Sequence, residues 1–600
     1  MNRNRRFARS LISRIHPPTA NLGDGLAGKT PKALRNLADQ ARARRDFTAD
    51  TYYRRRLCEL ESERAGNWIQ YGHALKESGY HQRAEVAYRR ALDLLPNDPD
   101  LQMQLGHLAK VRGDFPAADL AFSEADRLGY PARDEIAFQR SLLRKIDNRT
   151  VFRDESPSGE RVPLRIFLSV PGGPISEGDR AGMEAGLGHG DYSYAFAMRG
   201  FVNALEALDV DHVVIRNPEF IADIRQRSNA VTNVHLSFYP PERMRLLKGA
   251  YNINCFAWEF DRLRLPRELL TAHAFGDQAR MLDLADEIWM PSEHGADAVR
   301  PSLKRPVRVV PAPVIEHLSK SPRTGRPSPS QRDKSIRALS GVAWQPLAIV
   351  PRIQAEVNGG SKAREMRIRG ILDNHFDGGV PNIFVSVFNA HDYRKQISPM
   401  LNGFIDLLKT HPNSILLFKM TTVDRGGSVN EVLYREQIRE LDSLTPPMIS
   451  DKVWITNQVL TRAEMNALFD FADHYVCTSH AEGQNLPLIE AMGRGVVPVS
   501  VSGTAMDAYI APETAVVIES ERRPFGRRLT ARYGLYGLET YFTEADWVRG
   551  ALIRAIELDN EAYGEKSAAA LERVKDVYGL EPFERAFNDM AARVTSSVAG

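Results

Sequence analysis

From residue 164 onward the hydrophobic positions gather into short continuous runs, each closed by polar or turn residues. "LRIFLSV" (164–170), "HVVIRNP", "TNVHLSF", "YNINCFAW", "DEIWMPS" and "VRVVPAPV" form one block that ends near residue 315. A second block holds "NIFVSVFN" (382–389), "SILLFKM" (414–420), "KVWITNQVL" (452–460), "HYVCTS" (474–479), "VVPVSVS" (496–502) and "TAVVIES" (514–520). Helix-period stretches such as "ISPMLNGFIDLLKTH" and "TRAEMNALFDFA" separate the runs. Runs without polar alternation suit strands covered on both faces, which is the situation of a mostly parallel sheet. Strands alternating with helices then predict an α/β class chain with two doubly wound domains facing a cleft.

Before residue 164 the period changes. Residues 65–98 read "AGNWIQYGHALKESGYHQRAEVAYRRALDLLPND", with Trp68, Tyr71, Gly72, Leu75, Gly79, Ala84, Tyr88, Ala91 and Pro96 as large, small and helix-ending positions. Shifted by 34, the slots hold Leu105, Gly106, Ala109, Gly113, Ala118, Phe122 and Ala125; shifted back, a worn copy holds Leu34, Leu37, Ala38, Ala41, Phe47 and Leu57. This resembles the tetratricopeptide repeat, in which small residues let paired helices approach and aromatics fill the gap between them. The chain therefore divides into a basic tail (1–30), helical repeats (31–132), a polar linker (133–160), a first α/β domain (161–317), an insertion (318–380), a second α/β domain (381–560) and closing helices (561–600). "SKSPRTGRPSPSQRDKS" within the insertion is rich in Ser, Pro and basic residues and is expected to be mobile.

Composition narrows the classes. A chain of 600 residues exceeds one core. The net charge of +3 gives no pull toward nucleic acid. The three cysteines lie far apart without metal spacing, which suits a reducing, cytoplasmic setting and argues against a disulfide framework. No apolar run reaches the roughly 18 residues of a spanning helix. The N-terminal "MNRNRRFARSLISRIHPP" has an apolar stretch too short for a secretory segment. It reads as a basic disordered tail, with peripheral contact at the inner membrane face as the alternative.

"EGQNLPLIE" (482–490) carries the candidate chemistry. Glu482 follows the run "HYVCTS", at the rim where open α/β sheets bind ligands. Pro487 suits the first turn of the next helix, where its missing N–H has no intrahelical partner. Glu490 then stands about one turn in. N–H groups between the two acids can cradle a diphosphate, one carboxylate can accept from sugar hydroxyls and the other from a ribose diol. That spacing fits a nucleotide-sugar.

With its following "AMGRGVVPV", the stretch resembles the signature of retaining glycosyltransferases of the GT-B fold, family-4 type, in which two glutamates flank seven residues. "FVSVFNAHDYRKQ", "DEIWMPSEHGADAV" and "FAWEF" add to the likeness, which spans 160–315 and 380–595. It implies two Rossmann-like domains, an acceptor domain followed by a donor domain, and a hexosyltransferase-type activity. It also implies roles: Glu482 and Lys395 catalytic, at the anomeric carbon and the diphosphate; Glu490 on the ribose; Arg394 assisting. Gly483, Gln484, Asn485 and Leu486 would line the donor, with Gln484 or Asn485 reading the sugar. Thr504, with Ser502, would reach phosphate, and Gly190 would approach the donor through its backbone. Asn389 stands where the family often has an arginine. No metal or other cofactor is implied; a UDP- or GDP-sugar is the co-substrate, and the acceptor is a glycan, a lipid-linked glycan or a protein. Polysaccharide biosynthesis is the expected setting, with the repeats docking a partner or acceptor.

Simpler readings stand beside these. Tetratricopeptide repeats next to a GT-B module also resemble the inverting O-linked N-acetylglucosamine transferases, which do not rely on the paired glutamates. An inactive scaffold acting through its repeats is a third reading. Glu259 is expected to pair with a nearby arginine, and His235 to be a satisfied core histidine. His480 is unassigned.

Overall fold

The computed structural model describes residues 28–598, apart from 45, 112–113, 138, 141–163, 172–189, 216–217, 219–220, 222–230, 266–267, 269–276, 321–322, 324, 350–364, 377–379, 423–428, 434–436, 438–447, 527–528 and 531–532. Nearly all of the basic tail and most of the 133–160 linker thus lie outside the described residues.

Among the described residues six helices come first, in three pairs: α1 (Pro31–Ala43) with α2 (Phe47–Leu60), α3 (Ala65–Glu77) with α4 (His81–Leu94), and α5 (Pro99–Val111) with α6 (Phe115–Arg127). A β-carbon on Gly72 would overlap the Tyr88 ring, and one on Gly106 the Phe122 ring. These pairs are 34 residues apart, so the period seen in the sequence is the period of one packing contact. In the first pair the corresponding residues are Ala38 and Arg54. The aromatic is replaced by a buried ion pair, with Arg54 Nε donating to Asp50 at 3.0 Å. The copy is worn because charge does the work of a ring.

The first α/β domain follows as β1 (Leu164–Ser169), α7 (Gly190–Ala207), β2 (His212–Val214), β3 (Thr232–Ser237), β4 (Tyr251–Cys255), β5 (Glu287–Met290), α8 (Glu293–Val299) and β6 (Val307–Val309). Its sheet has the order β2-β1-β3-β4-β5-β6, and every pairing is parallel. Strands β3, β4 and β5 are buried nearly throughout, as unalternating runs require. His235 lies in this core, held by Ser169 at 2.8 Å and Asn252 at 2.9 Å, and burial pushes its imidazole down to about 4.

The second domain runs through α9 (Pro329–Ala338), β7 (Gln345–Ile349), α10 (Ile368–His375), β8 (Asn382–Asn389), α11 (Ile397–Leu407), β9 (Ser414–Thr421), β10 (Met448–Thr456), α12 (Arg462–Phe471), β11 (His474–Cys477), α13 (Leu486–Gly493), β12 (Val497–Val501) and β13 (Val516–Ile518). A hairpin of β14 (Glu521–Pro524) and β15 (Glu539–Phe542) leads to α14 (Ala545–Glu557), α15 (Asn560–Tyr578) and α16 (Leu580–Val598). The sheet order is β13-β12-β11-β8-β9-β10-β7, parallel except for the edge strand β7 against β10.

Two features differ from expectation. The Ser/Pro-rich segment in 318–380 is anchored rather than loose, and β7 from the same stretch belongs to the second sheet. Arg323 donates to the carbonyls of Phe469 and Ala472, and Arg326 to those of Ala555, Ile556 and Leu558. These carbonyls close α12 and α14, where a helix leaves acceptors without intrahelical donors and carries partial negative charge. Arg332 pairs with buried Asp473 at 2.7 Å. The segment's basic residues are therefore its anchors. Helix α16 also crosses back: Phe583, Phe587, Met590 and Val594 pack into the first sheet's core, and Arg593 reaches Glu287 at 3.0 Å.

The repeat packing generates a prediction. Alanine in place of a helical glycine normally stabilises by up to about 1 kcal/mol. Gly72→Ala should instead destabilise by about 1–3 kcal/mol through overpacking, because the Tyr88 hydroxyl is tied to His73 at 2.8 Å and fixes the ring. Gly66→Ala, in the same helix but with open space at the β-carbon, should be neutral or stabilising. Thermal unfolding of the two variants checks the difference in sign.

Candidate functional site

The carboxyl ends of both sheets open on one cleft of about 700 Å³. From the first domain it is lined by residues just past β3, β4, β5 and β6, among them Phe238, Glu259, Pro291 and Ala312. From the second it is lined at the ends of β8, β9, β10 and β11, including Asn389, Thr421, Val459 and Glu482.

The strand–turn–helix at 474–493 builds its floor. Strand β11 ends at Cys477, and α13 starts at Leu486 with Pro487 in its first turn. Asn485 makes the turn in the left-handed region at φ 63°, a conformation asparagine tolerates better than most side chains. Glu482 is nearly buried, and its carboxylate meets the Lys395 ammonium at 2.5 Å. Lys395 stands in a short turn (Tyr393–Lys395) following β8. Burial alone would lower its pKa, but Glu482 and Asp392 outweigh burial and raise it. Glu490, one turn into α13, faces His317 of the interdomain segment at 3.7 Å.

Beside this pair lies a second charge cluster. Arg394 reaches Asp392 at 2.6 Å and, across the cleft, Glu259 of the first domain at 2.5 Å. Burial would raise the Asp392 carboxyl, yet Arg394 and Lys395 hold it well below the usual carboxylate range. The Tyr533 hydroxyl donates to it at 2.9 Å. Glu259 moves the other way: burial raises it, and Asp392 and Glu482 add to the rise against the pull of Arg394. Its expected arginine partner is therefore Arg394, over the domain boundary.

The cleft brings together Glu482, Lys395, Arg394, Gly483, Gln484, Asn485, Leu486 and Glu490. Among the described residues, Thr504 is not part of the lining. The Thr504 hydroxyl accepts from the Glu482 N–H at 2.9 Å, with its own backbone at φ 56°, and so supports Glu482 from behind. Ser502 donates to Asp507 at 2.6 Å. Gly190 opens α7, and the loop before it lies outside the described residues.

The two amides expected to read the sugar are hydrogen-bonded within the protein. The Gln484 amide donates to the Ala312 carbonyl at 2.9 Å and accepts from the Ala312 N–H at 3.3 Å, bridging the two domains. The Asn485 amide donates to Cys477 Sγ at 3.3 Å. Gly483 is a contact point: a β-carbon there would meet that of Ala257 in the first domain at 2.8 Å. His480 donates through Nδ1–H to the Tyr541 carbonyl, 2.8 Å away, and burial pushes its pKa down to about 4.

Lys419 is a cleft residue the motif reading missed. It stands near the end of β9, only 4% exposed, with Nζ donating to the Met420 carbonyl at 3.2 Å. Burial pushes its ammonium down to about 8. The signal was present as a lysine inside the apolar run "SILLFKM". Among the described residues no group of three or more His, Cys, Asp or Glu is arranged to hold a metal, and no helix is long and apolar enough to cross a membrane.

A family model described as tetratricopeptide repeat matches residues 65–108. No curated protein matches the chain. Among solved structures the chain is similar to a sucrose-phosphate synthase from Thermosynechococcus elongatus, at 14% identity over 72% of this chain and 100% of that one, with a TM-score of 0.42. It is similar to a glycosyltransferase from Rickettsia africae, at 12% identity over 72% and 98%, with a TM-score of 0.40. It is also similar to an O-GlcNAc transferase mutant from Thermobaculum terrenum, at 11% identity over 95% and 98%, with a TM-score of 0.32. With scores this low, the α/β architecture of two parallel sheets behind helical repeats stands on the strand pairing itself.

Lys419 sets a pH dependence. Its folded-state pKa of about 8 lies below the 10.5 of an unperturbed lysine, so between those values the unfolded chain binds the extra proton and stability rises with pH. Below pH 8 the buried charge costs the folded protein on the order of 3 kcal/mol. Lys419→Met should unfold at a higher temperature than the natural chain at pH 7, and the gap should close as pH approaches 10. Paired thermal melts across that range check the sign.

Proposed function

We propose that this chain is a retaining glycosyltransferase that moves a sugar from a nucleotide-diphosphate-sugar to an acceptor. One observation carries the reading: Glu482 and Glu490 line a single cleft from the two ends of one strand–turn–helix, with Lys395 on Glu482. A molecule gripped between those carboxylates has hydroxyls at both ends and an anion in the middle. The main-chain amides opening α13 lie between them, where a helix N-terminus favours negative charge.

In this reading the donor diphosphate approaches Lys395, which shifts toward the phosphate oxygens as the glycosidic bond breaks and charge develops on the leaving group. Glu482, released from part of its ion pair, stabilises positive charge near the anomeric carbon. Glu490 accepts from the ribose hydroxyls. The departing phosphate takes the acceptor proton. Arg394 contributes only as Glu259 yields it, so that ion pair couples domain contact to donor binding. A UDP- or GDP-sugar is the donor, and a glycan, lipid-linked glycan or protein is the acceptor, with the repeats as the docking element.

The test is a thermal-shift screen against nucleoside diphosphates and their sugars, followed by donor turnover and product analysis by NMR. A bound donor raises the unfolding temperature by mass action. Turnover should fall at least about a hundredfold in Glu482→Ala, the size of effect that loss of a transition-state electrostatic partner produces, and the product should keep the donor's anomeric configuration. An inverted product would sink the retaining assignment. If no donor binds or turns over, the chain is a scaffold working through its repeats.

A further inference from the structure

Lys419 and its neighbours on β8 share one part of the sheet. Lys419 is in register with Val387, and Thr421 with Asn389, where β8 ends and the chain leads into the turn holding Arg394 and Lys395. Residues two apart on a strand face the same side, so Lys419 and Thr421 line the cleft together. We propose that Lys419 binds the diphosphate of the nucleotide-sugar, approaching it from the β9 side as a third cation of the donor site. This inference rests on the transferase reading of the same cleft.

The charge balance is what points there. Lys395 and Arg394 are matched against Glu482, Asp392 and Glu259, so two cations face three carboxylates before any ligand arrives. A diphosphate brought to that cluster adds at least two further negative charges. Elsewhere along the lining, Arg199 and Arg462 pair with Glu316, and His317 faces Glu490. Lys419 differs from all of these. Among the described residues no carboxylate pairs with it, and its Nζ donates only to the Met420 carbonyl, which leaves two of its three N–H donors for a ligand. A buried ammonium with a single neutral partner is costly, and an incoming diphosphate offsets that cost while a neutral sugar does not. The lysine is itself buried near the end of a strand buried at every residue but its last, so little side-chain freedom is lost on binding.

The full chain and its Lys419→Met and Lys419→Arg variants test this by calorimetric titration with UDP and GDP and with the corresponding monophosphates. For whichever diphosphate the natural chain binds, Lys419→Met should bind it at least about tenfold more weakly, the usual size of a lost charge-assisted hydrogen bond. Its preference for diphosphate over monophosphate should shrink, while Lys419→Arg keeps most of both. If Lys419→Met fails to fold, Lys419→Gln takes its place in the same titrations. Unchanged diphosphate affinity in a folded variant overturns the role of Lys419 and leaves the transferase reading intact. Absence of diphosphate binding by the natural chain overturns both.

Discussion

The close approach of the two sheets at residues 482–485 is the constraint on which the cleft depends. Each residue of this turn is tied to something different. Glu482 is held by Lys395 and, through its N–H, by Thr504; Gly483 touches Ala257; Gln484 clasps the Ala312 backbone; Asn485 turns the chain into α13. Two of the four ties run to the first domain. The turn is therefore both the floor of the cleft and the seam of the molecule, and a change at Gly483 or Gln484 alters domain contact before it alters any ligand contact.

The seam is electrostatic as well as steric. Glu259 enters from the first domain to share Arg394 with Asp392. Removing a charged group from water is expensive, and a buried pair returns that cost only when its geometry and remaining hydrogen bonds are good. Here the cost is divided among several partners, with the Tyr533 hydroxyl satisfying a further Asp392 lone pair. Such a cluster is a poor stabiliser compared with apolar packing, but it holds cations in place without a ligand. An anion entering the cleft then exchanges partners rather than creating a charged site from nothing.

Much of the fold was legible because its signals are local. The unalternating runs became two parallel sheets, and the 34-residue period became the Gly72–Tyr88 and Gly106–Phe122 contacts. The positions of Glu482 and Glu490 on one cleft also followed from a strand end and a helix start, while Lys395 was singled out by the family resemblance alone. What escaped is long-range. Nothing in "GQN" says that Gln484 will meet Ala312, 172 residues earlier. Composition also misread the strap at 323–332, since Ser, Pro and Arg look solvated until carbonyls at two helix ends are close enough to receive the guanidinium groups. Lys419 was visible as an anomaly, but its meaning depends on what surrounds the end of β9.

The strap and α16 explain how so polar a seam persists. Arg323 and Arg326 fasten the interdomain segment to α12 and α14, and α16 carries four apolar side chains back into the first sheet's core. The chain thus crosses between domains twice, and each crossing ends in well-satisfied contacts away from the cleft. With the domains joined there, the residues lining the cleft need not supply the stability that joins them. That freedom is what permits an excess of carboxylate over guanidinium and ammonium at Arg394 and Lys395, and a buried, singly bonded lysine at position 419. Stability resides in the strap and the returning helix; the unsatisfied charge is concentrated where a ligand would meet it.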